Sequence, residues 1–203
     1  MSCSGGVEGC SASKFSAMAN GNLIGDGAIG DRALYALCEH LGKKLLAAGR
    51  RMASAESCTG GWVAKACTDV PGSSQWFECG FVTYSNAAKV RDLGVAEQTI
   101  IDHGAVSEST VREMAAGALR RAAETPVSER NKSAAHVAVA ISGIAGPDGG
   151  TPAKPVGTVW FGLAVRRGAE VVVTAERHVF DGDRERVRRC SVRRALELVL
   201  AVE

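Results

Sequence analysis

The sequence predicts an α/β protein, a mixed-sheet sandwich closed by an antiparallel hairpin. Three observations lead there. Short apolar, β-prone runs alternate with segments whose apolar residues recur at helical spacing. Three stretches at strand exits, residues 57–61, 84–89 and 142–150, are rich in hydroxyls, glycines or cap residues. The last two runs are joined by a tight Arg-Arg-Gly-Ala turn at 166–169, which reads as a hairpin. In open α/β sheets the ligand site lies beyond strand ends, so the three exits are where function is expected.

At 203 residues with 46% hydrophobic content, the chain suits one substantial domain. Residues 1–28 are rich in Gly, Ser and Ala, lack a signal-peptide pattern and offer no periodic apolar face, so a disordered extension is expected before a domain at 29–203. Met18 is an alternative start. The net charge of +2 is too small to indicate a nucleic-acid surface, and no apolar run reaches the roughly 18–20 residues of a membrane span. Cys3, Cys10, Cys38, Cys58, Cys67, Cys79 and Cys190 form no C-x-x-C pair and are odd in number. They read as reduced, cytosolic thiols, and no metal site is expected from them or from the four scattered histidines.

Taken in order, Asp31 is expected to cap a helix that carries Leu34, Leu37, Cys38, Leu41 and Leu45 on one face and ends at Gly49. A strand over 52–55 then runs into Ala-Glu-Ser-Cys-Thr-Gly-Gly at 55–61, and a helix follows from Trp62. Ser57, Cys58 and Thr59 therefore sit at a helix mouth, where outward N–H groups and the dipole favour negative charge. A serine there can attack a carbonyl while neighbouring amides receive the oxyanion; equally, it can serve as an N-cap before tightly packed glycines.

A second strand over 76–82 leads to Tyr84 and to Asn86, the expected N-cap of a helix over 87–93. Lys89 falls in its first turn, where a cation opposes the dipole, although solvated lysines also occupy such places. Ser107 caps the next helix, whose Val111, Met114, Ala115, Ala118, Leu119 and Ala122 keep a 3.6-residue period. Residues 126–133 read as a polar loop. The run 137–142 suits a central buried strand, and its Gly/Pro-rich exit lets backbone amides approach a ligand or simply forms a surface loop. Two strands at 156–165 and 170–179 follow, then a helix started by Asp181-Gly-Asp183. Arg184 and Arg188 lie one turn apart near its mouth, placed for an anion or for solvent.

Serine, lysine and a loop of amides can together perform acyl transfer without a metal. The blocks at 55–61, at 80–86 with Lys89, at 104–107, at 141–150 and at 154–159 closely resemble the CinA C-terminal domain family, over roughly residues 32–200. That resemblance implies a three-layer α/β/α sandwich with a mixed, mainly parallel sheet, usually in a homodimer or larger homo-oligomer. It also implies a cytoplasmic amidohydrolase, since family members include deamidases of nicotinamide mononucleotide (NMN). Ser57 matches the presumed nucleophile, Lys89 its base, and Tyr84 a holder of the nicotinamide ring or of the dyad. Thr59, Gly60 and the amides of Ser142, Gly143, Ile144, Ala145 and Gly146 would bind oxyanion or phosphate, with Asn86, Ser107 and Arg184 completing the substrate contacts. Neither cofactor nor metal is implied, and the partner is the small-molecule substrate rather than nucleic acid or membrane. The chain is too short for the separate N-terminal domain of full-length CinA proteins, so a stand-alone enzyme is expected. Two other classes remain: a non-catalytic nucleotide-binding module and a competence- or damage-linked interaction protein.

Overall fold

A computed structural model describes residues 30–123 and 135–202. The expectations for residues 1–28 and 126–133 lie outside the described residues. The elements are α1 (Asp31–Ala47), β1 (Met52–Glu56), α2 (Trp62–Thr68), β2 (Phe77–Val82), α3 (Asn86–Leu93) and α4 (Glu97–His103). After them come α5 (Glu108–Ala123), β3 (Val137–Gly143), β4 (Thr158–Arg167), β5 (Glu170–Val179) and α6 (Arg184–Leu200).

The strands form one sheet in the order β2-β1-β3-β4-β5. β1 pairs in parallel with both β2 and β3, whereas β4 pairs antiparallel with β3 and β5. Pairing is thus split evenly between the two senses. The carboxyl ends of β1, β2 and β3 and the start of β4 consequently share one edge of the sheet, and all three suspected exits open there.

Alternation along β3 sorts the two faces. Val137, Val139 and Ile141 face a layer of α1, α2 and α6, while Ala138 and Ala140 face α5. Small residues on the second face let α5 lie close. A Cβ at Gly162 of β4 would meet the Val111 carbonyl oxygen at 2.2 Å, and one at Gly117 of α5 would meet that of Leu93 at 2.0 Å. Those two glycines set α5 directly on the sheet and the end of α3 directly on α5. The result is three layers, with α3 and α4 packing on α5.

Several local expectations are corrected. Gly30, not Asp31, is the N-cap of α1, and the Asp31 carboxylate instead accepts from Arg189 of α6. Ser85, not Asn86, caps α3: its hydroxyl accepts from the Ala88 N–H at 3.1 Å, while Asn86 is the first helical residue and exposed. The two neighbours are both good caps, and the chain uses the one in extended conformation. α4 is an additional helix, and β4 begins at Thr158 rather than at 156.

Candidate active site

β1 carries a carboxylate at its last position, Glu56, which is fully buried. Burying that charge requires donors, and the start of α2 supplies them. The N–H groups of Gly61 and Val63 donate to Glu56 Oε2 at 3.0 Å each, that of Ala64 to Oε1 at 2.8 Å, and Ser54 Oγ to Oε1 at 3.2 Å. The expectation that the α2 mouth faces a ligand is corrected accordingly, because its amides are already spent on Glu56. Within the turn, the Ser57 N–H donates to the Ile141 carbonyl and the Gly60 N–H to that of Ser57, both at 3.0 Å. Among the described residues, the amides of Cys58 and Thr59 take no backbone acceptor.

Lys89 reaches the same turn from α3. It is 1% exposed, and its Nζ donates to Ser57 Oγ at 3.0 Å, to the Thr83 carbonyl at 2.8 Å and to the Tyr84 carbonyl at 3.4 Å. Burial pulls its pKa below the usual lysine range, opposed only in part by the nearby Cys58 thiol. An amine held this way can be neutral and take a proton from the hydroxyl beside it. Burial acts on Cys58 in the opposite direction, pushing the thiol up to about 12. Cys58 is therefore a poor rival to Ser57, since the thiolate is the reactive form.

The outer rim joins three elements. Arg184 of α6 donates from Nη1 to the Gly146 carbonyl at 2.8 Å and from Nη2 to the Tyr84 hydroxyl at 3.0 Å. Tyr84 is 60% exposed and so stands at the surface, while its carbonyl accepts from the buried Lys89 amine. In the loop after β3, the amides of Ala145 and Gly146 take no backbone acceptor, whereas the Ile144 N–H donates to the Thr158 carbonyl at 2.8 Å. Gly143 closes β3 opposite Val159.

Two hydroxyls beside the site are committed elsewhere. The Ser142 hydroxyl, 1% exposed, donates to the Ala105 carbonyl at 2.7 Å. Ser107 accepts from the Thr110 N–H at 3.2 Å and donates to the Gly104 carbonyl at 2.9 Å, as a helix cap does. Thr59 is fully buried, and its Oγ1 has no hydrogen-bond partner. Gly60 is exposed beside Arg188.

Sequence reasoning missed Glu56 and left Arg188 undecided. A carboxylate ending a strand of otherwise small or apolar residues, six residues before the start of α2, was the available signal for Glu56. Arg188 donates from Nε to the Cys58 carbonyl at 3.0 Å and from Nη2 to that of Thr59 at 2.9 Å. Among the described residues, no group of three His, Cys, Asp or Glu side chains could hold a metal ion, and no helix is long and apolar enough to cross a membrane.

Comparison with known proteins places this geometry among relatives. Residues 34–202 match the CinA C-terminal domain. The nicotinamide-nucleotide amidohydrolase PncC of Escherichia coli K12 is 53% identical over 167 residues, covering 82% of this chain and 93% of that protein. The PncC of Pseudomonas putida is 52% identical, with 81% and 93% covered. Among solved structures, the competence/damage inducible protein CihA of Agrobacterium tumefaciens superposes with a TM-score of 0.73 at 40% identity, covering 85% of this chain and 95% of that one. The competence damage-inducible protein A of Klebsiella pneumoniae gives 0.72 at 37%, with 83% and 96% covered.

Proposed function

Because the chain belongs to the CinA C-terminal domain family, we propose that it is a nicotinamide-nucleotide amidohydrolase, converting NMN and water to nicotinate mononucleotide and ammonia by a Ser57–Lys89 dyad. One observation carries the mechanism: a buried lysine amine 3.0 Å from a serine hydroxyl, in a chain 53% identical to an enzyme of that name.

In the proposed cycle, Ser57 Oγ attacks the carboxamide carbon while neutral Lys89 takes its proton. The negative oxygen is received by the Cys58 N–H, which takes no backbone acceptor among the described residues. Lys89, now an ammonium, passes that proton to the amide nitrogen, the C–N bond breaks and ammonia leaves. Water then attacks the Ser57 ester, giving Lys89 a proton that returns to Ser57 Oγ as the carboxylic acid departs and ionises in solution. Tyr84 borders the ring, and Arg184 with the Ala145 and Gly146 amides receives the phosphate.

The same reading includes action in the cytoplasm as a homo-oligomer, with the catalytic domain at 29–203 and residues 1–28 dispensable. The free thiols of Cys38, Cys58, Cys67, Cys79 and Cys190 suit a reducing compartment. Ammonia release from NMN tests the proposal. Turnover is expected. A folded protein that binds NMN and releases none would leave a nucleotide-binding module, and one that neither binds nor hydrolyses it would favour a competence- or damage-linked role.

A further inference from the structure

Arg188 folds back from α6 onto the nucleophile turn. Its guanidinium holds two successive carbonyls, those of Cys58 and Thr59. The same group lies 5.2 Å from the centre of the Trp62 ring, which fixes its plane from one side. Two forked contacts and a stacked face leave the group little freedom.

A trans peptide carries its C=O and N–H on opposite sides, and among the described residues the cis bond is that between Gly146 and Pro147. A carbonyl pinned towards Arg188 therefore aims the N–H of the same plane away from it. For the plane joining Cys58 to Thr59, that N–H belongs to Thr59, one of the two amides without a backbone acceptor. For the next plane it belongs to Gly60, whose N–H closes the turn on the Ser57 carbonyl. Beyond it, Glu56 occupies the amides of Gly61, Val63 and Ala64. A rotated 58–59 plane would loosen the turn that Gly60 closes on the Ser57 carbonyl and let Ser57 Oγ shift from Lys89 Nζ.

We propose that Arg188 is a positioning residue for acylation, pinning the Cys58 and Thr59 carbonyls so that the buried turn holds Ser57 Oγ against Lys89 Nζ for attack. This rests on Ser57 being the nucleophile of the proposed amidohydrolase. The effect is on the chemical step, because the pinned carbonyls fix where the nucleophile stands and make no contact with the substrate.

Two readouts test it on the full chain. With NMN, Arg188→Ala is expected to lose about 100-fold in kcat while KM stays within about threefold and the pH midpoint of kcat/KM does not move. Added guanidinium ions should restore part of that kcat, whereas Arg188→Lys, which keeps charge but not the fork, should recover less than about tenfold. The second readout is labelling of Ser57 by a small alkyl fluorophosphonate, followed by intact mass. It needs the nucleophile and its base but no nicotinamide, and should slow by at least about tenfold in Arg188→Ala. If wild type does not hydrolyse NMN but labelling still slows, the substrate reading fails and the positioning role stands. Wild-type Ser57 that does not label overturns both. In a folded Arg188→Ala, kcat and labelling within about twofold of wild type, or a loss confined to KM, overturns the positioning role. Should circular dichroism find Arg188→Ala unfolded, Arg188→Lys carries the test: a clear loss of kcat and of labelling supports the role, and wild-type values of both overturn it.

Discussion

Lys89 Nζ stands 3.0 Å from Ser57 Oγ although the two are 32 residues apart in the chain. The parallel pairing of β1 with β2 brings them together: Glu56 lies opposite Val82, so the residues that follow each strand emerge side by side. The Thr83 N–H then donates to the Glu56 carbonyl at 2.9 Å, extending the pairing into the site itself.

In the proposed mechanism the two side chains act on one proton, so their losses should not add. Ser57→Ala and Lys89→Met are each expected to fold and to lose about 1,000-fold or more in kcat, with the double variant scarcely worse than the worse single one. Steady-state kinetics on the three variants checks this. Additive losses would mean that the residues work independently.

Activity should rise with pH. The amine must be neutral to accept a proton, so kcat/KM is expected to climb to a plateau with a midpoint below the ordinary lysine value of 10.5, in line with the lowering that burial imposes. Stability carries the same signature. Below the folded-state pKa, lysine is protonated in both states and the burial penalty is constant. Between that pKa and 10.5 the unfolded chain holds the extra proton, so the native state gains stability as pH rises. The difference in unfolding free energy between wild type and Lys89→Met, measured by urea titration across this window, should shift towards wild type with increasing pH. A difference independent of pH would contradict it.

Glu56 should matter to stability before it matters to chemistry. Glu56→Ala strands three helix N–H groups at the start of α2 and is expected to cost about 2 to 4 kcal/mol. Glu56→Gln, which keeps an acceptor oxygen, should cost about half as much. Denaturant midpoints at an unchanged slope read both.

Phosphate recognition is checked at Arg184, which lies outside the dyad's contacts. Arg184→Ala is expected to raise KM for NMN about tenfold, and to narrow the preference for NMN over nicotinamide riboside by a similar factor. Equal loss on both substrates would remove the phosphate from its reach.

The placement of Ser57 and Lys89 where strands give way to helices was legible because each follows a short apolar run with turn chemistry, while their proposed roles came from the family resemblance. Glu56 was not, since only the tertiary placement of α2 says that a carboxylate in an apolar strand has donors waiting. α4 escaped for a simpler reason: none of its residues is buried, so it has no apolar face to detect. The even split of strand senses was hidden in the long crossover from β3 to β4, whose length is compatible with return on either side. Arg188 could not be told from the other arginines of α6, because which of them turns inward depends on how the helix sits on the sheet.

Since β4 returns beside β3, residues 144–157 leave and re-enter the sheet between neighbouring strands. Seven residue pairs, from Val137 with Val165 to Gly143 with Val159, hold those strands together beneath the crossover, and neither Ser57 nor Lys89 lies on them. The crossover is in effect an exchangeable module. Lengthening, shortening or replacing it would alter the loop at this edge of the sheet while Ser57, directly after β1, and Lys89, on α3, keep their mounts. Recognition and reaction can therefore diverge separately on this scaffold, by natural drift or by grafting.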